Sequence, residues 1–528
     1  MTAIRYSKSD AIIIFFCAII FFTLGLKHQE VVSFQARFYL FALEMWNHGP
    51  SLFPTTYRMP YPDYPATSTF LIYLAAKLFG GLNKLTAILP SAIAAALTLV
   101  ATYQIGNLQT RRIGWCAVGF LIFTLAFLME ARTVSLDMFV AAVSTWCFYA
   151  IYSAKLQQKS MPRVLLISLL VFSFAIRGPI GLVIPASIIC VFYLMHQDYK
   201  EFLLFGLLSF ILLLCCTGVL LAVAYHAGGT HFLHEVLRME VMGRLQNNDS
   251  PPSYFYFVES IGAYAITYPF AILMLLGLLP KLFTRSAARE IKFLQILIAW
   301  VLIIMLGMSI PGDKKVRYVL SAAPALALIC SYLLMTAHQS RYLIGLKRLF
   351  YLLCAIIPSL CLGLLAILYR HQIELHYIGL AVCFFVIQLI VVILRDKNTA
   401  FFLAAFSFLL ANIFMIEPID LTANKTRAFV RQVENLRKMA QAKLFFYHEG
   451  KDGAVIKYLI DMPEEEAPSF LADINGAPTT AFIIASAENF RKLSKVHTKN
   501  LRIIAQGKIG HDSFIVFSKS AAHREAGF

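Results

Sequence analysis

Charged residues stand in five places at the ends of long apolar runs, where they could do chemistry. Arg37, Glu44, Arg58 and Asp63 precede the second run, and Glu130, Arg132 and Asp137 lie between the third and fourth. Arg177 separates two short runs; Arg238, Glu240, Arg244 and Asp249 share a long connection; Lys314, Lys315 and Arg317 come just before another run. An ion at the centre of a membrane helix costs about 2.5–3.5 kcal/mol, so charges placed this close to lipid are usually functional or held at the headgroups. Gathered at one end of a helical bundle, these cations would hold phosphate oxygens through charge-assisted hydrogen bonds. A carboxylate among them could orient or deprotonate an acceptor. Asp137 and Asp63 are the candidates for that role. Asp137 lies one turn into a helical run, where an exposed charge would be wasteful. Plainer readings exist for others: Arg132 and Arg177 as headgroup anchors, Glu44 as a solvated residue, His231 and His234 as interfacial groups. No metal-ligand spacing occurs, and no cofactor is expected.

The elements that must position these residues are set by hydropathy. The chain has 528 residues, 59% hydrophobic and 14% charged, which is far from a soluble composition. The apolar excess falls in runs of the length that crosses a bilayer, and helices are the form in which such runs satisfy their backbone. The reading is an all-α polytopic membrane bundle of about thirteen transmembrane helices. The spans lie near 10–26, 84–104, 112–129, 134–153, 164–176, 179–195, 202–225, 258–280, 293–310, 317–337, 349–369, 376–394 and 399–416. A single broken span across Arg177-Gly178-Pro179 is the alternative to the fifth and sixth, and it would invert everything after it.

Loop charge favours thirteen. With the N-terminus inside, short acid-poor loops carry Arg111, Arg112, Lys155, Lys159, Arg163 and Lys200, while the opposite loops carry most of the acids. The net charge of +17 follows from this asymmetry. No basic run is interleaved with aromatics, so no nucleic-acid partner is expected. The ten cysteines, all but confined to apolar runs and without a CxxC, read as small core residues. No internal repeat is present. Two outer loops are long, 27–77 and 226–257. The first opens with an amphipathic stretch (Phe34, Phe38, Phe41, Met45) suited to a helix lying in the membrane interface. The bundle is taken as residues 1–418. Residues 419–528 are expected to form a small soluble α/β domain on the outer, periplasmic side, with β-like runs at 443–447, 481–485, 501–505 and 513–518.

Five motifs, in order, carry a resemblance. They are Gln35-Ala36-Arg37-Phe38-Tyr39 with Glu44-Met45, Tyr61-Pro62-Asp63-Tyr64-Pro65, Ser135-Leu136-Asp137, Arg177-Gly178-Pro179-Ile180-Gly181, and the stretch from Ser309 to Pro324 containing Lys314, Lys315, Arg317 and Tyr318. Together they resemble the lipid A aminoarabinose transferases and their relatives, polytopic GT-C glycosyltransferases that include the protein O-mannosyltransferases. The resemblance implies a GT-C fold in a bacterial inner membrane. It also implies transfer of a sugar from a polyprenyl-phosphate donor to an envelope acceptor: lipid A, another glycan or a protein. For that reaction Arg58, Arg244, Lys315 and Arg317 are expected at the donor phosphate, with Arg37 or Arg177 as alternatives and Lys314 and Tyr318 beside them. The chain departs from the family where an acidic pair is replaced by Phe34 and Gln35, and where a lysine is replaced by Tyr64. A catalytically inactive membrane subunit is therefore the main alternative. A transporter or flippase is a weaker one, since it would require two related halves and mid-membrane polar groups.

Overall fold

The computed structural model describes residues 8–26, 34–56, 59–62, 65–238, 251–279, 289–336, 340–368, 375–416, 426–447, 469–471, 473–497, 501–509 and 512–519. Nine of the described helices have the length and hydropathy to cross a membrane. The expected spans not among these nine coincide with helix Lys8–Thr23 and with two broken pairs, Arg111–Ile122 with Leu125–Ala131 and Phe255–Ala263 with Thr267–Leu276. The longest continuous core runs through the middle of this bundle, around Phe120, Phe148, Trp300 and Leu328.

Helix Arg163–Met195 decides between the two sequence readings. Straight, its 33 residues would extend roughly 50 Å. Yet Arg163 at its start pairs with Glu201, just beyond its end, at 2.8 Å. The chain therefore reverses inside the element and crosses twice. The reversal is at Arg177 (φ −134°, ψ 15°) and Gly178 (φ 64°, ψ −151°), the latter a conformation that is essentially glycine's alone. Pro179 then opens the returning segment at the position where its missing N–H costs nothing. With this helix counted twice, each of the thirteen expected segments has a helical counterpart.

The hairpin is tight. A Cβ on Gly181 would sit 2.1 Å from the carbonyl oxygen of Ser173 in the outgoing segment. Gly181→Ala is expected to cost folded protein, by about 1–3 kcal/mol or more as overpacking does. Gly206→Ala, where nothing lies within 4 Å, is expected to leave the monodisperse gel-filtration peak unchanged and serves as the control.

The first long loop is held to the bundle. Helix Phe34–His48 buries Phe38 and Phe41 against Tyr61, Ile72, Ile88 and Ile176. Its apolar face thus meets protein on the bundle end, where its amphipathic pattern alone led lipid to be expected as the cover. The expected signal is the same in both cases, because lipid and a protein core select the same stripe of residues.

Beyond the bundle, strands Leu444–Tyr447, Ser469–Leu471, Phe482–Ser486, Leu501–Ile509 and Asp512–Lys519 form one sheet. In space Ser469–Leu471 is outermost beside Leu444–Tyr447, then Phe482–Ser486, then Asp512–Lys519, with Leu501–Ile509 at the other edge. Helix Thr426–Ala440 packs Phe429, Val430 and Val433 on one face. Helix Ala487–His497 packs Leu493 and Phe490 on the other. Four of the strands match the β-like runs in the sequence. Ser469–Leu471 does not, being three residues long and without alternation to read.

Candidate functional site

The site lies at the end of the bundle where three reversals meet. The first is the turn into helix Leu136–Gln157. Ser135 caps it, accepting from the Met138 N–H at 3.3 Å, and donates its own hydroxyl to the Glu130 carboxylate. That cap fixes the first turn, and Asp137 follows immediately, where the helix dipole favours a negative charge. The second reversal is the Arg177-Gly178 turn, which places Arg177 at a hairpin tip. The third is the tight turn Val316–Ala322, which carries Arg317 and Tyr318. Its backbone is held by the Tyr264 hydroxyl on the Val316 carbonyl (3.1 Å) and by the Trp300 indole on that of Ser321 (3.0 Å).

These turns bring Asp137 between two guanidiniums. Arg177 Nη2 is 3.0 Å from one carboxylate oxygen, and Arg317 Nε is 3.3 Å from the other. The side chains of Asp137 and Arg177 are 5% and 1% exposed, and that of Arg317 is 21% exposed, so the last alone reaches outward. Both guanidiniums flank the Tyr318 ring, at 5.0 and 5.7 Å from its centre. Tyr318 in turn donates to Asp313 at 2.9 Å. Lys315 lies 3.7 Å from the same carboxylate. Burial pushes the Lys315 ammonium below the ordinary lysine range; Asp313 opposes this, and the cations of Arg317, Arg37 and Arg177 add to it. Four cations thus share one field.

The structure sorts the sequence candidates. Asp137, Arg177, Arg317, Lys315 and Tyr318 form one cluster. Arg37 contributes to the field at Lys315 and stacks over Tyr61 at 5.6 Å. Lys314 points elsewhere, donating to the Pro251 carbonyl at 2.9 Å and so tying the second long loop to this turn. Arg132 is fully buried and donates to the carbonyls of Phe21, Phe22 and Leu24. It closes the end of the first helix from inside the protein, and so is not the headgroup anchor of its plainer reading. Arg58, Asp63 and Arg244 lie outside the described residues. Asp313, which receives both Tyr318 and Lys315, was missed. Its only signal in the sequence was its place beside Lys314 and Lys315.

An apolar cavity of about 380 Å³ lies against the segment that leads into the Arg177 turn. Phe53 and Pro65 of the first loop form one wall, and Phe174 and Ala175, within three residues of Arg177, a second. Cys216 and Leu220 of helix Tyr199–Leu237 form the third. No metal-binding group of three or more ligands occurs among the described residues.

Comparison with known proteins agrees with this architecture. Residues 63–225 match the family described as dolichyl-phosphate-mannose-protein mannosyltransferase. The undecaprenyl phosphate-α-4-amino-4-deoxy-L-arabinose arabinosyl transferase of Shewanella sediminis is 24% identical over 383 residues, which span 69% of this chain and 66% of that relative. The chain therefore aligns with just under two thirds of that relative's length. The crystal structure of ArnT from Cupriavidus metallidurans bound to undecaprenyl phosphate superposes with a TM-score of 0.69 at 16% identity, covering 97% of this chain and 98% of that one. Its apo form gives 0.70 at 15% identity, covering 96% and 98%. The chain is a multi-pass membrane protein with the GT-C glycosyltransferase fold of the ArnT structures.

Proposed function

We propose that this protein transfers a sugar from a polyprenyl-phosphate donor to an envelope acceptor, on the periplasmic face of a bacterial inner membrane. The observation that carries the reading is the Arg177–Asp137–Arg317 cluster, with Lys315 near it and an apolar cavity along the segment that leads into the Arg177 turn. A polyprenyl phosphate has a long hydrocarbon tail and an anionic head. The cavity suits the first and the cluster the second. That a structural relative was solved with undecaprenyl phosphate bound supports the same class of donor.

In this reaction the acceptor oxygen forms a bond to the sugar's anomeric carbon as the bond to the donor phosphate breaks. The electron pair leaves with the polyprenyl phosphate, whose negative charge rises in the transition state. Cations already in place stabilise that charge without reorganising, which is where electrostatic catalysis has its effect. Arg317 and Lys315 make the contact, with Arg37 behind them. Asp137, enclosed by its two arginines, is a positioning residue in this scheme: it holds the guanidinium planes rather than taking a proton. Asp63 keeps the role of orienting the acceptor and, where the acceptor is a hydroxyl, of taking its proton as the new bond forms, and Arg58 and Arg244 that of further phosphate ligands. Where the acceptor is itself a phosphate anion, little base assistance is needed. This accommodates Phe34 and Gln35 in place of the acidic pair.

The test is mass spectrometry of envelope lipids and glycans from a deletion strain, the complemented strain and an Arg317→Ala strain. A one-sugar mass difference, restored by the wild type and not by the variant, establishes transfer and identifies sugar and acceptor together. Rescue by Arg317→Ala would favour the non-catalytic subunit. A second result concerns pH. Because Lys315 is shifted downward, donor binding is expected to weaken on the alkaline side earlier than an ordinary lysine would allow, as the ammonium loses its proton. Lys315→Arg, charged throughout, extends binding to higher pH. Superposable pH profiles for the two proteins would remove Lys315 from the phosphate site.

A further inference from the structure

The opposite end of the bundle holds a second feature that the transfer reaction does not use. That this end is opposite follows from helix Leu136–Gln157, which carries Asp137 in its first turn and places Tyr152, near its other end, against Gln109 at 2.5 Å. Here a cavity of about 560 Å³ lies between Arg111, Arg112, Trp115 and Cys116 on one side and Met335, Asn398 and Phe402 on the other. A second cavity of about 200 Å³ shares Trp115 and Phe402 with it. It continues along helix Arg111–Ile122 to Gly119 and Ile122, against Cys17 and Phe21 of the first helix and Ala405 of helix Lys397–Ala411. The two adjoin at Trp115 and Phe402, the first reaching the arginines and the second lined by apolar residues throughout, and are treated together as one crevice.

Its dimensions match half a bilayer. From Arg112 to Ile122 is about 15 Å of helix, and one leaflet contributes about half of the roughly 30 Å hydrocarbon thickness. Ile13 and Phe402, on its flanks, are 53% and 41% exposed, so the crevice opens sideways toward lipid. The mouth is cationic. Arg112 is exposed and has no ion pair among the described residues. Lys347 reaches the backbone beside Met335, donating to the Thr336 carbonyl at 2.5 Å, and Lys397 opens the helix that carries Asn398. The carboxylates nearby are already engaged. Asp10 accepts from Arg111 at 2.7 and 2.8 Å, from Trp115 at 3.3 Å and from Tyr103. Asp396 caps its own helix through Thr399 at 2.8 Å.

We propose that this crevice binds an anionic phospholipid of the leaflet opposite the transfer site. Its headgroup phosphate would lie at Arg112 and Lys347, and an acyl chain along the groove between the first helix and helix Lys397–Ala411. A zwitterionic lipid presents the same chain but adds an ammonium to the cationic mouth, so the charge selects the anionic headgroup. The Asp10–Arg111 contact joins the first helix to this mouth, and the bound lipid therefore clamps that helix to the bundle.

The full-length protein in detergent micelles is titrated with phosphatidylglycerol, phosphatidylcholine and inorganic phosphate, reading bound lipid by native mass spectrometry and stability by thermal unfolding. Phosphatidylglycerol is expected to bind and raise the unfolding temperature, and phosphatidylcholine to do so more weakly. Phosphate alone should do neither. Arg112→Ala is expected to weaken phosphatidylglycerol about fivefold, the effect of one cation near an anionic headgroup. Cys17→Trp, which fills the groove from an exposed position, is expected to displace either lipid. Equal binding of the two lipids, an unchanged affinity in Arg112→Ala, or full occupancy in Cys17→Trp would each overturn the proposal. So would binding of phosphate alone with the same stabilisation. None of these readouts depends on sugar transfer, so failure here leaves the proposed reaction untouched.

Discussion

Arg317→Ala is expected to lower turnover of the polyprenyl-phosphate donor by about 10²–10³-fold, the effect of losing one donor that meets charge developing in a transition state. Arg317 is the more outward of the two arginines on Asp137, with its side chain 21% exposed against 1% for Arg177. It is therefore the one a ligand can reach without dismantling the cluster. The variant should still insert and fold, because its turn is held independently by Tyr264 and Trp300. Arg317→Lys is expected to recover only part of the loss. Lysine supplies the charge, but not the planar fork that can contact a carboxylate and a phosphate together. Single-turnover transfer by purified protein checks both variants. Equal rates for wild type and Arg317→Ala would remove Arg317 from the reaction.

The bundle was legible because its signals are redundant. Each span repeats the same apolar run, and alternating loop charge supplied an independent check on their number. The hairpin at Arg177-Gly178-Pro179 shows the limit of hydropathy. Two half-length runs around a Gly-Pro pair fit a kink or a reversal equally well, and the contact from Arg163 to Glu201 and the close approach of Gly181 to Ser173 separate them. The site was legible in part for the same kind of reason. A buried ion such as Asp137 stands out against a lipid-facing background, and its partners had to be cations. Which cations was not in the pattern. Lys314 and Lys315 are adjacent and alike in sequence, yet an extended turn sends one to the Pro251 carbonyl and the other toward Asp313. Arg132 and Arg177 were equally ambiguous. The fold gives Arg132 three backbone carbonyls and Arg177 a carboxylate, and that difference in partner assigns one to architecture and the other to the site. Helix Phe34–His48 posed the converse problem, since its apolar stripe did not say whether lipid or protein would cover it.

Asp137→Ala is expected to abolish transfer and also to lower the thermal stability of the protein, unlike Arg317→Ala. The carboxylate separates two guanidiniums, and its removal leaves like charges facing each other where one is 1% exposed. Breaking a buried ion pair on one side costs about 3–5 kcal/mol, because the remaining charge loses its compensation. Loss of activity in this variant alone would therefore not separate a positioning role from a structural one. The double variant Asp137→Leu with Arg177→Met does. It removes one charge of each sign, so the net charge of the cluster is unchanged, and replacing a whole buried pair by apolar side chains of similar size is often neutral or stabilising. The double variant is expected to recover the unfolding temperature lost in Asp137→Ala and to remain inactive, since Arg317 no longer has a carboxylate to set its plane. Recovery of transfer together with stability would show that the Asp137–Arg177 pair serves only the packing of the bundle. In that case phosphate recognition would rest on Arg317, Lys315 and Arg37 without it.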